Sequence, residues 1–220
     1  MPASPRTRRS AGDRRAQLVA IGLELLPTTP VQELTIDEVA RRAGISRSLL
    51  FHYFPSKRDY YTAVTRAAAD VLLAHLAPRA DSTPEEQAAG MLDRYVGWVE
   101  TYRESHIAFV SGAVGGDAWV AEVYEETREA LADVVVEALG LPDDASRRQL
   151  VRAWFAFTET LVHQWVREPT TSRDELLALL IDVRDRLLAR RPALPRQGRR
   201  GPDDAGDRGA RRAGRDDLPA

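Results

Sequence analysis

The chain has 220 residues, enough for one or two domains with a buried core, and it contains no cysteine, which excludes disulfides and thiolate metal sites. Its net charge is −2, but residues 1–60 carry +4 and residues 61–190 carry −9, so a basic front end that suits a polyanion precedes an acidic body. No apolar run is long enough to span a membrane or to form a signal peptide, and we therefore expect a cytoplasmic protein.

The spacing of apolar residues predicts helices along the whole chain, and no alternating strand pattern is present. We expect nine helices, near residues 11–26, 35–43, 46–53, 57–77, 84–104, 106–114, 117–139, 145–167 and 173–190. Glycines and prolines fall between them. Capping boxes are predicted at the starts of four helices, where a Ser or Thr is followed three residues later by an acid: Thr35 with Glu38, Ser56 with Asp59, Thr83 with Glu86 and Ser172 with Glu175.

The segment TIDEVARRAGISRSLLFHYFPSK, residues 35–57, reads as two short helices. In the first, the apolar residues share one face, and Gly44 then permits the left-handed backbone that ends a helix. In the second, Leu50 and Phe54 share a face four residues apart. Two short helices joined by a glycine-containing turn follow the helix-turn-helix plan.

The second helix of this pair carries side chains suited to DNA. If Leu50 and Phe54 face inward, the neighbouring side chains cannot all do so, and some of them must be exposed or face a partner. Arginine, serine and phenylalanine side chains can read base edges in the major groove, whereas hydroxyl and ammonium groups can bind phosphates. The predicted DNA-binding residues are Thr35, Ser46, Arg47, Ser48, Phe51, His52, Tyr53 and Lys57. In the alternative, Phe51 and Tyr53 are core residues and His52 is a solvated surface residue.

Five arginines near the N-terminus add to this basic front end: Arg6, Arg8, Arg9, Arg14 and Arg15. An arm of this kind can follow phosphates or enter a minor groove. In the alternative, it is a solvated tail.

The run LTIDEVARRAGISRSLLFHYFPSKRDYYTAV resembles the DNA-binding region of the TetR/AcrR family of bacterial transcriptional regulators, and the resemblance covers residues 13–64. It implies that the third helix reads operator DNA, with Arg47, Ser48, Phe51 and His52 near the bases. Thr35, Tyr53 and Lys57 would contact the backbone; the family more often has tyrosine where Phe51 stands. The resemblance further implies that the body forms a dimer and holds a ligand whose binding lowers operator affinity.

The pattern of apolar residues in the last two predicted helices independently favours a dimer. The helix near 145–167 carries two apolar stripes, one through Leu150, Trp154, Phe157, Leu161 and Trp165 and one through Val151, Phe155, Val162 and Val166. A helix with two apolar faces has two partners to contact. We therefore expect a homodimer through the helices near 145–167 and 173–190, which would present two heads to a palindromic operator in double-stranded DNA. In the alternative, both helices are core of a monomer.

Aromatic residues and histidines cluster in the middle helices. The predicted ligand-binding residues are Trp98, Tyr102, His106, Phe109, Trp119, Trp154, Phe157 and His163, and Tyr124 and Trp165 belong to the same cluster. A pocket lined in this way favours a small-molecule effector that is largely apolar or aromatic. Aromatic residues at helical spacing also form plain core, and this alternative stays open.

The sequence contains no metal-ligand spacing, no phosphate-binding glycine motif and no nucleophile–base set, so we predict neither a cofactor nor an enzyme. The predicted organisation is a basic flexible arm over 1–12, a helix-turn-helix DNA-binding domain over 13–60, a helical ligand-binding and dimerisation domain over 61–190, and a disordered Pro/Gly/Arg/Asp-rich tail over 191–220.

We predict an all-α homodimeric regulator at the bacterial nucleoid, most consistent with a repressor. One alternative is a ligand-independent DNA-binding protein, architectural or constitutive, with a solid core. The other is a helical enzyme fused to a DNA-binding head.

Overall fold

The computed structural model describes residues 10–79, 82–115, 118–142 and 144–189. Over these ranges the chain forms nine α-helices: α1 (Ala11–Leu25), α2 (Ile36–Ala43), α3 (Arg47–Tyr53), α4 (Lys57–Leu76), α5 (Pro84–Thr101), α6 (Arg103–Val114), α7 (Ala118–Ala138), α8 (Ala145–Arg167) and α9 (Arg173–Ala189). The predicted all-helical fold is confirmed. Among the described residues, no helix is both long and apolar enough to cross a membrane.

The structure departs from the predicted helices in two places. A short 3₁₀ turn, Val31–Glu33, follows Pro30 in a stretch predicted to be irregular. The break between α5 and α6 falls at Tyr102, whereas the sequence placed it near residue 105. The predicted tail over 191–220 and residues 1–9 of the predicted arm lie outside the described residues, while Ser10 is the cap of α1.

The predicted helix starts are capped, with one difference. Both halves of the capping box form at three starts, Ser56 with Asp59, Thr83 with Glu86, and Ser172 with Glu175. At the start of α2, Thr35 accepts a hydrogen bond from the Glu38 backbone N–H at 3.2 Å, but the Glu38 carboxylate binds Arg41 and Arg42 instead of reaching back. This half of the prediction is wrong because two guanidinium groups on the next turn compete for the same carboxylate.

The helix-turn-helix has the geometry that its sequence predicts. Gly44 ends α2 with φ +64, and the Ile45 N–H donates to the Ala40 carbonyl at 3.0 Å, which satisfies an open carbonyl of the helix end. Leu50 and Phe54 are buried, with exposed fractions of 0% and 1%. The inward face predicted for α3 is confirmed, and the rest of its surface is available to a partner.

Two apolar cores occupy the described residues, and α4 belongs to both. The first core, which we call the head core, contains residues of α1, the 3₁₀ turn, α2, α3 and the first half of α4, including Tyr60, Tyr61 and Val64. The second, the body core, contains residues of the second half of α4, such as Leu72 and Leu76, and of α5, α7, α8 and α9. The domain division at residue 60 stays a prediction, because α4 continues across it.

Two tyrosines at the start of α4 fasten this helix to the head. The Tyr60 hydroxyl donates to the Leu18 carbonyl of α1 at 2.9 Å. The Tyr61 hydroxyl donates to the carbonyls of Gln32, at 3.2 Å, and Leu34, on either side of the end of the 3₁₀ turn. Since these acceptors lie in α1 and in the connection to α2, the tyrosines fix the direction in which α4 leaves the head.

Gly22 is where α1 lies closest to α4, and we expect Gly22→Ala to destabilise the protein. An added Cβ would lie 2.5 Å from Val64 Cγ2 and 2.7 Å from the Tyr60 hydroxyl, so the two helices would have to separate. Overpacking of this kind costs about 1–3 kcal/mol. The free energy of unfolding, measured in urea, checks this expectation.

The matched control is Gly97→Ala in α5, where an added Cβ would meet nothing closer than the end of the Arg173 side chain at 3.8 Å. This variant should gain up to about 1 kcal/mol because alanine favours a helix interior over glycine. A Gly22→Ala variant that is as stable as the Gly97→Ala variant would contradict the close α1–α4 contact.

Candidate nucleic-acid interface and effector cavity

The exposed face of α3 carries most of the predicted DNA-binding residues. Arg47, Ser48 and His52 are exposed, whereas Phe51 and Tyr53 are half-buried and also pack against the head core. The two aromatic rings therefore combine both interpretations of the sequence: part of each ring contacts the core and part stays on the surface. The arrangement presents a guanidinium, a hydroxyl, an imidazole and an aromatic edge on one short helix, and these groups suit base edges in a major groove.

Arg47 is held above the surface of α3 by two weak contacts. Its Nη1 donates to the Asp37 carboxylate of α2 at 3.3 Å, and its guanidinium carbon lies 5.7 Å from the centre of the Phe51 ring. Both members of the ion pair are largely exposed, and such pairs contribute only about 0.2–1 kcal/mol. The guanidinium can therefore exchange Asp37 for a guanine at little cost.

The remaining predicted DNA-binding residues lie at helix starts. Ser46 caps α3 by accepting from the Leu49 N–H at 3.2 Å, and its hydroxyl shares a 3.0 Å hydrogen bond with that of Ser48. Thr35 caps α2, and Lys57 begins α4 with its Nζ 5.0 Å from the centre of the Tyr61 ring. Hydroxyl and ammonium groups in these positions suit phosphate oxygens, which fix orientation and carry no sequence information.

Arg14 and Arg15, which the sequence grouped with the basic front end, lie in α1. Arg14 Nη1 donates to the Gln17 side chain at 2.8 Å, and the Arg15 guanidinium lies 4.7 Å from the centre of the Phe54 ring. Arg6, Arg8 and Arg9 are outside the described residues.

A cavity of about 80 Å³ lies where α4 passes from the head core to the body core. Its walls come from the end of α1, the 3₁₀ turn and helices α4 to α8. Of the predicted ligand-binding residues, Trp98, Tyr102, His106 and Phe109 line it, and so does Tyr124. One water needs roughly 10–15 Å³ of such space, so the cavity has room for more than a single solvent molecule.

Four predicted ligand-binding residues lie away from this cavity. Trp154 is buried towards α9, where its indole N–H donates to the Leu180 carbonyl at 3.1 Å, and Phe157 is 41% exposed on the outside of α8. Trp119 packs beside the head core, and His163 lies behind His106 with the two ring centres 4.7 Å apart.

The sequence assigned the wrong face of α8 to the cavity. A helix turns about 100° per residue, and the residues that point into the cavity are Phe155 and Glu159, one turn apart. The expected face of Trp154 and Phe157 is rotated away from them. The apolar stripes alone did not distinguish the two faces, because both are hydrophobic.

A hydrogen-bonded chain of three side chains forms one wall of the cavity. Arg128 Nη1 donates to the Tyr124 hydroxyl at 2.8 Å, and that hydroxyl donates to the Glu159 carboxylate. Glu159 is 5% exposed, and burial raises its pKa, although Tyr124 and Arg128 oppose this effect. Burial and the hydrogen bond to Glu159 raise the pKa of Tyr124 to about 12.

Sequence reasoning missed Glu159 and Arg128, although one signal was present. Glu159 interrupts the apolar run FAFTETLV and falls on the stripe that contains Phe155 and Val162. An acid on an apolar stripe indicates a buried carboxylate with a partner. No comparable signal in the sequence marked Arg128, because this residue lies among the acidic residues of α7.

His106 adds a neutral polar group to the cavity. Its Nε2 lies 3.2 Å from the Tyr95 hydroxyl, which is itself buried. Burial and the neighbouring His163 lower the pKa of His106 to about 3, and burial also lowers the pKa of His163. Both rings are therefore uncharged at neutral pH. Within the described ranges, no group of three or more histidines and acids is placed to hold a metal ion.

Family models match both the N-terminal and the C-terminal part of the chain. A model described as bacterial regulatory proteins, tetR family, matches residues 18–64, and a model described as a tetracyclin repressor-like C-terminal domain matches residues 84–184. The HTH-type transcriptional regulator EthR of Mycolicibacterium smegmatis is 41% identical over 83 residues, which cover 36% of this chain and only 35% of EthR. The HTH-type transcriptional regulator BetI of Klebsiella pneumoniae is 25% identical over 169 residues, 77% of this chain and 78% of BetI.

Solved structures agree with these matches. A tetR-family transcriptional regulator from Streptomyces coelicolor has a TM-score of 0.70 and 26% identity over 82% of both chains. A TetR transcriptional regulator from Rhodococcus sp. RHA1 has a TM-score of 0.61 over 82% of this chain and 97% of that one, and at 19% identity it shows the fold alone. These relatives are named as transcriptional regulators, in agreement with the prediction that the chain is not an enzyme.

The positions of Arg47 and Lys57 predict different losses on DNA. Arg47→Ala should cost about 1–3 kcal/mol on the preferred site and relax the sequence preference, because a bidentate contact to a base edge is lost. Lys57→Ala should weaken binding to all sequences and make the slope of log K against log salt shallower by about one, because one phosphate contact is lost. Competition binding at several salt concentrations separates the two, and an equal loss of preference in both variants would contradict the assignment.

The contact between Arg47 and Asp37 predicts a variant with tighter binding. Asp37→Asn replaces the charged acceptor that competes for the guanidinium with a neutral amide and removes a negative charge beside Arg47. We expect DNA affinity to rise about 1.5- to 5-fold at low salt, which corresponds to the 0.2–1 kcal/mol of an exposed ion pair. Asp70→Asn, an exposed aspartate further along α4, is the control and should leave affinity unchanged. A loss of affinity in Asp37→Asn would show that Asp37 orients Arg47 for the DNA.

Proposed function

The chain belongs to the TetR family of bacterial transcriptional regulators, and from this premise we propose that it is a repressor in the cytoplasm that binds a palindromic operator as a homodimer. A small, largely apolar or aromatic molecule in the cavity releases the operator. Arg47, Ser48, Phe51 and His52 contact base edges in this proposal. Phosphate contacts come from Thr35, Ser46, Tyr53 and Lys57, consistent with their positions on α3 and at helix starts.

The observation that carries this proposal is the composition of the cavity wall. Leu26, just after α1, and Val31, in the 3₁₀ turn, belong to the head core, whereas Leu131 and Phe155 belong to the body core, and all four line the same space. Any occupant therefore touches the DNA-reading head directly. Ser105 of α6 strengthens this link, because its hydroxyl donates to the Leu26 carbonyl at 2.5 Å, and the Thr29 carbonyl lies 3.3 Å away.

The proposed mechanism is a two-state linkage. A ligand that binds more tightly to the arrangement in which the two heads do not match the operator shifts the population away from DNA. Helix α4 transmits the change, since it forms part of both cores and of the cavity wall. Arg66 also joins α4 to α7 through hydrogen bonds to Glu122 at 2.9 Å and to Glu126 at 3.0 and 3.1 Å.

The outward faces of α8 and α9 support the proposed dimer. Phe157 and Leu179 are 41% and 46% exposed, and Leu161, Trp165 and Val183 are half-buried on the same two helices. Large apolar side chains left in contact with water on adjacent helices favour association with a second copy. A four-helix interface made of α8 and α9 from each protomer would cover these side chains and align two heads with a two-fold symmetric site.

The test of the proposed function is selection of bound DNA from a random pool, with purified protein at a stated salt concentration. We expect a palindrome whose half-sites are about one helical turn apart. Recovery of no preferred sequence, together with binding that is lost at moderate salt, would overturn the proposal in favour of a ligand-independent architectural protein.

The proposed interface predicts that Phe157→Glu converts the dimer to a monomer, because a charge would be buried against an apolar partner. Sedimentation velocity should show half the mass of the wild type, and operator affinity should fall by at least about tenfold because two linked heads bind better than one. Val71→Glu, at a 45% exposed position on α4, is the matched control and should stay dimeric. A dimeric Phe157→Glu variant would place the interface elsewhere.

A further inference from the structure

The charges that line the effector cavity cancel one another. Among the described lining residues, Glu159 is the only acidic side chain and Arg128 the only arginine or lysine. The other titratable group near neutral pH is His106, whose pKa is lowered to about 3 by burial and by the neighbouring His163, so its ring is neutral. The rest of the wall is aromatic, aliphatic or hydroxylic. The cavity is thus a net-neutral space with one positive and one negative group in the same wall.

Tyr124 joins these two groups, so the positive and the negative charge are linked within one wall. It accepts from Arg128 Nη1 at 2.8 Å and donates to the Glu159 carboxylate. Arg128 Nη2 also donates to the Arg152 carbonyl at 3.2 Å. The guanidinium and the carboxylate therefore belong to one hydrogen-bonded chain, and their formal charges cancel.

A charged ligand would therefore enter without a counter-charge. Moving an ion from water into a mostly apolar cavity is strongly unfavourable unless it meets an opposite charge with good geometry. One polar position is nevertheless unused: the Arg128 Nε–H is buried and has no hydrogen-bond partner among the described residues. A neutral ligand oxygen that accepts from it would add a hydrogen bond and no charge.

We propose that the cavity selects uncharged aromatic molecules that carry a hydroxyl or comparable neutral oxygen, and that the Arg128–Tyr124–Glu159 chain sets this charge selectivity. The proposal rests on the proposed function in that it takes the cavity as the effector site. The aromatic part of the ligand packs among Trp98, Tyr102 and Phe109, and its oxygen lies against Arg128. Loss of either charged side chain should change the charge of the preferred ligand.

The test uses three probes with the same ring system: 2-naphthol, 2-naphthoate and 2-naphthylmethylammonium. Binding to the full chain without DNA is measured by calorimetry for the wild type, Glu159→Gln and Arg128→Met. The wild type should bind 2-naphthol at least about tenfold more tightly than either ion. In Glu159→Gln the cavity gains a net positive charge, and the order should reverse, so that 2-naphthoate binds more tightly than 2-naphthol. In Arg128→Met the ammonium should gain in the same way.

Two further variants separate charge from folding. Glu125→Gln removes an exposed carboxylate of α7 outside the cavity and should keep the wild-type order of the probes. Arg128→Lys keeps the positive charge and should also keep 2-naphthol first. If Arg128→Met does not fold, the reversal in Glu159→Gln decides the matter alone.

The outcomes distinguish this inference from the proposed function. A wild type that binds either ion at least as well as 2-naphthol, or none of the three probes, overturns the inference. An unchanged order in Glu159→Gln does the same. If 2-naphthol binds and the order reverses as expected, the inference holds, and whether the same probe releases operator DNA then tests the repressor mechanism separately.

Discussion

The structure depends on a single helix that must pack in two apolar cores at once. Helix α4 has 20 residues, a length of about 30 Å, and one end is fixed in the head by Tyr60 and Tyr61 while the other is buried in the body through Leu72 and Leu76. A helix of this length behaves as a rigid rod. A displacement of its body end therefore changes the orientation of the head that is fixed to its other end. The cavity lies along this helix between its two fixed ends, where Thr65, Ala68 and Ala69 line it.

The buried chain of Arg128, Tyr124 and Glu159 gives the cavity a property that an apolar lining would lack. Burying an ion pair is seldom favourable for stability compared with apolar residues of similar size. The position of this chain in the cavity wall is therefore better suited to ligand selectivity than to stability. A wall whose charges cancel disfavours ions of either sign more strongly than shape alone does, because a charged ligand would lose its hydration without replacement.

The candidate DNA surface uses the same side chains for the fold and for contact. Thr35 and Ser46 cap α2 and α3, and their hydroxyls stand at the surface that would face a phosphate backbone. Arg47 contacts Asp37 and Phe51 in the structure. Weak exposed contacts of this kind are readily exchanged for those of a partner.

The sequence by itself determined the nine helices, the helix-turn-helix and the exposed face of α3, because these follow from local rules: helical spacing, caps such as Thr83 with Glu86, and the left-handed Gly44. It also predicted a ligand-binding role for Trp98, Tyr102, His106 and Phe109. These four residues lie where α5 meets α6, and they line the cavity. Only the tertiary structure decided which face of α8 reaches the cavity, since both faces are apolar and the rotation of the helix depends on how Trp154 packs against α9. The contact of Glu159 with Tyr124, 35 positions apart in the chain, likewise depends on how α7 lies against α8, and no local pattern specifies it.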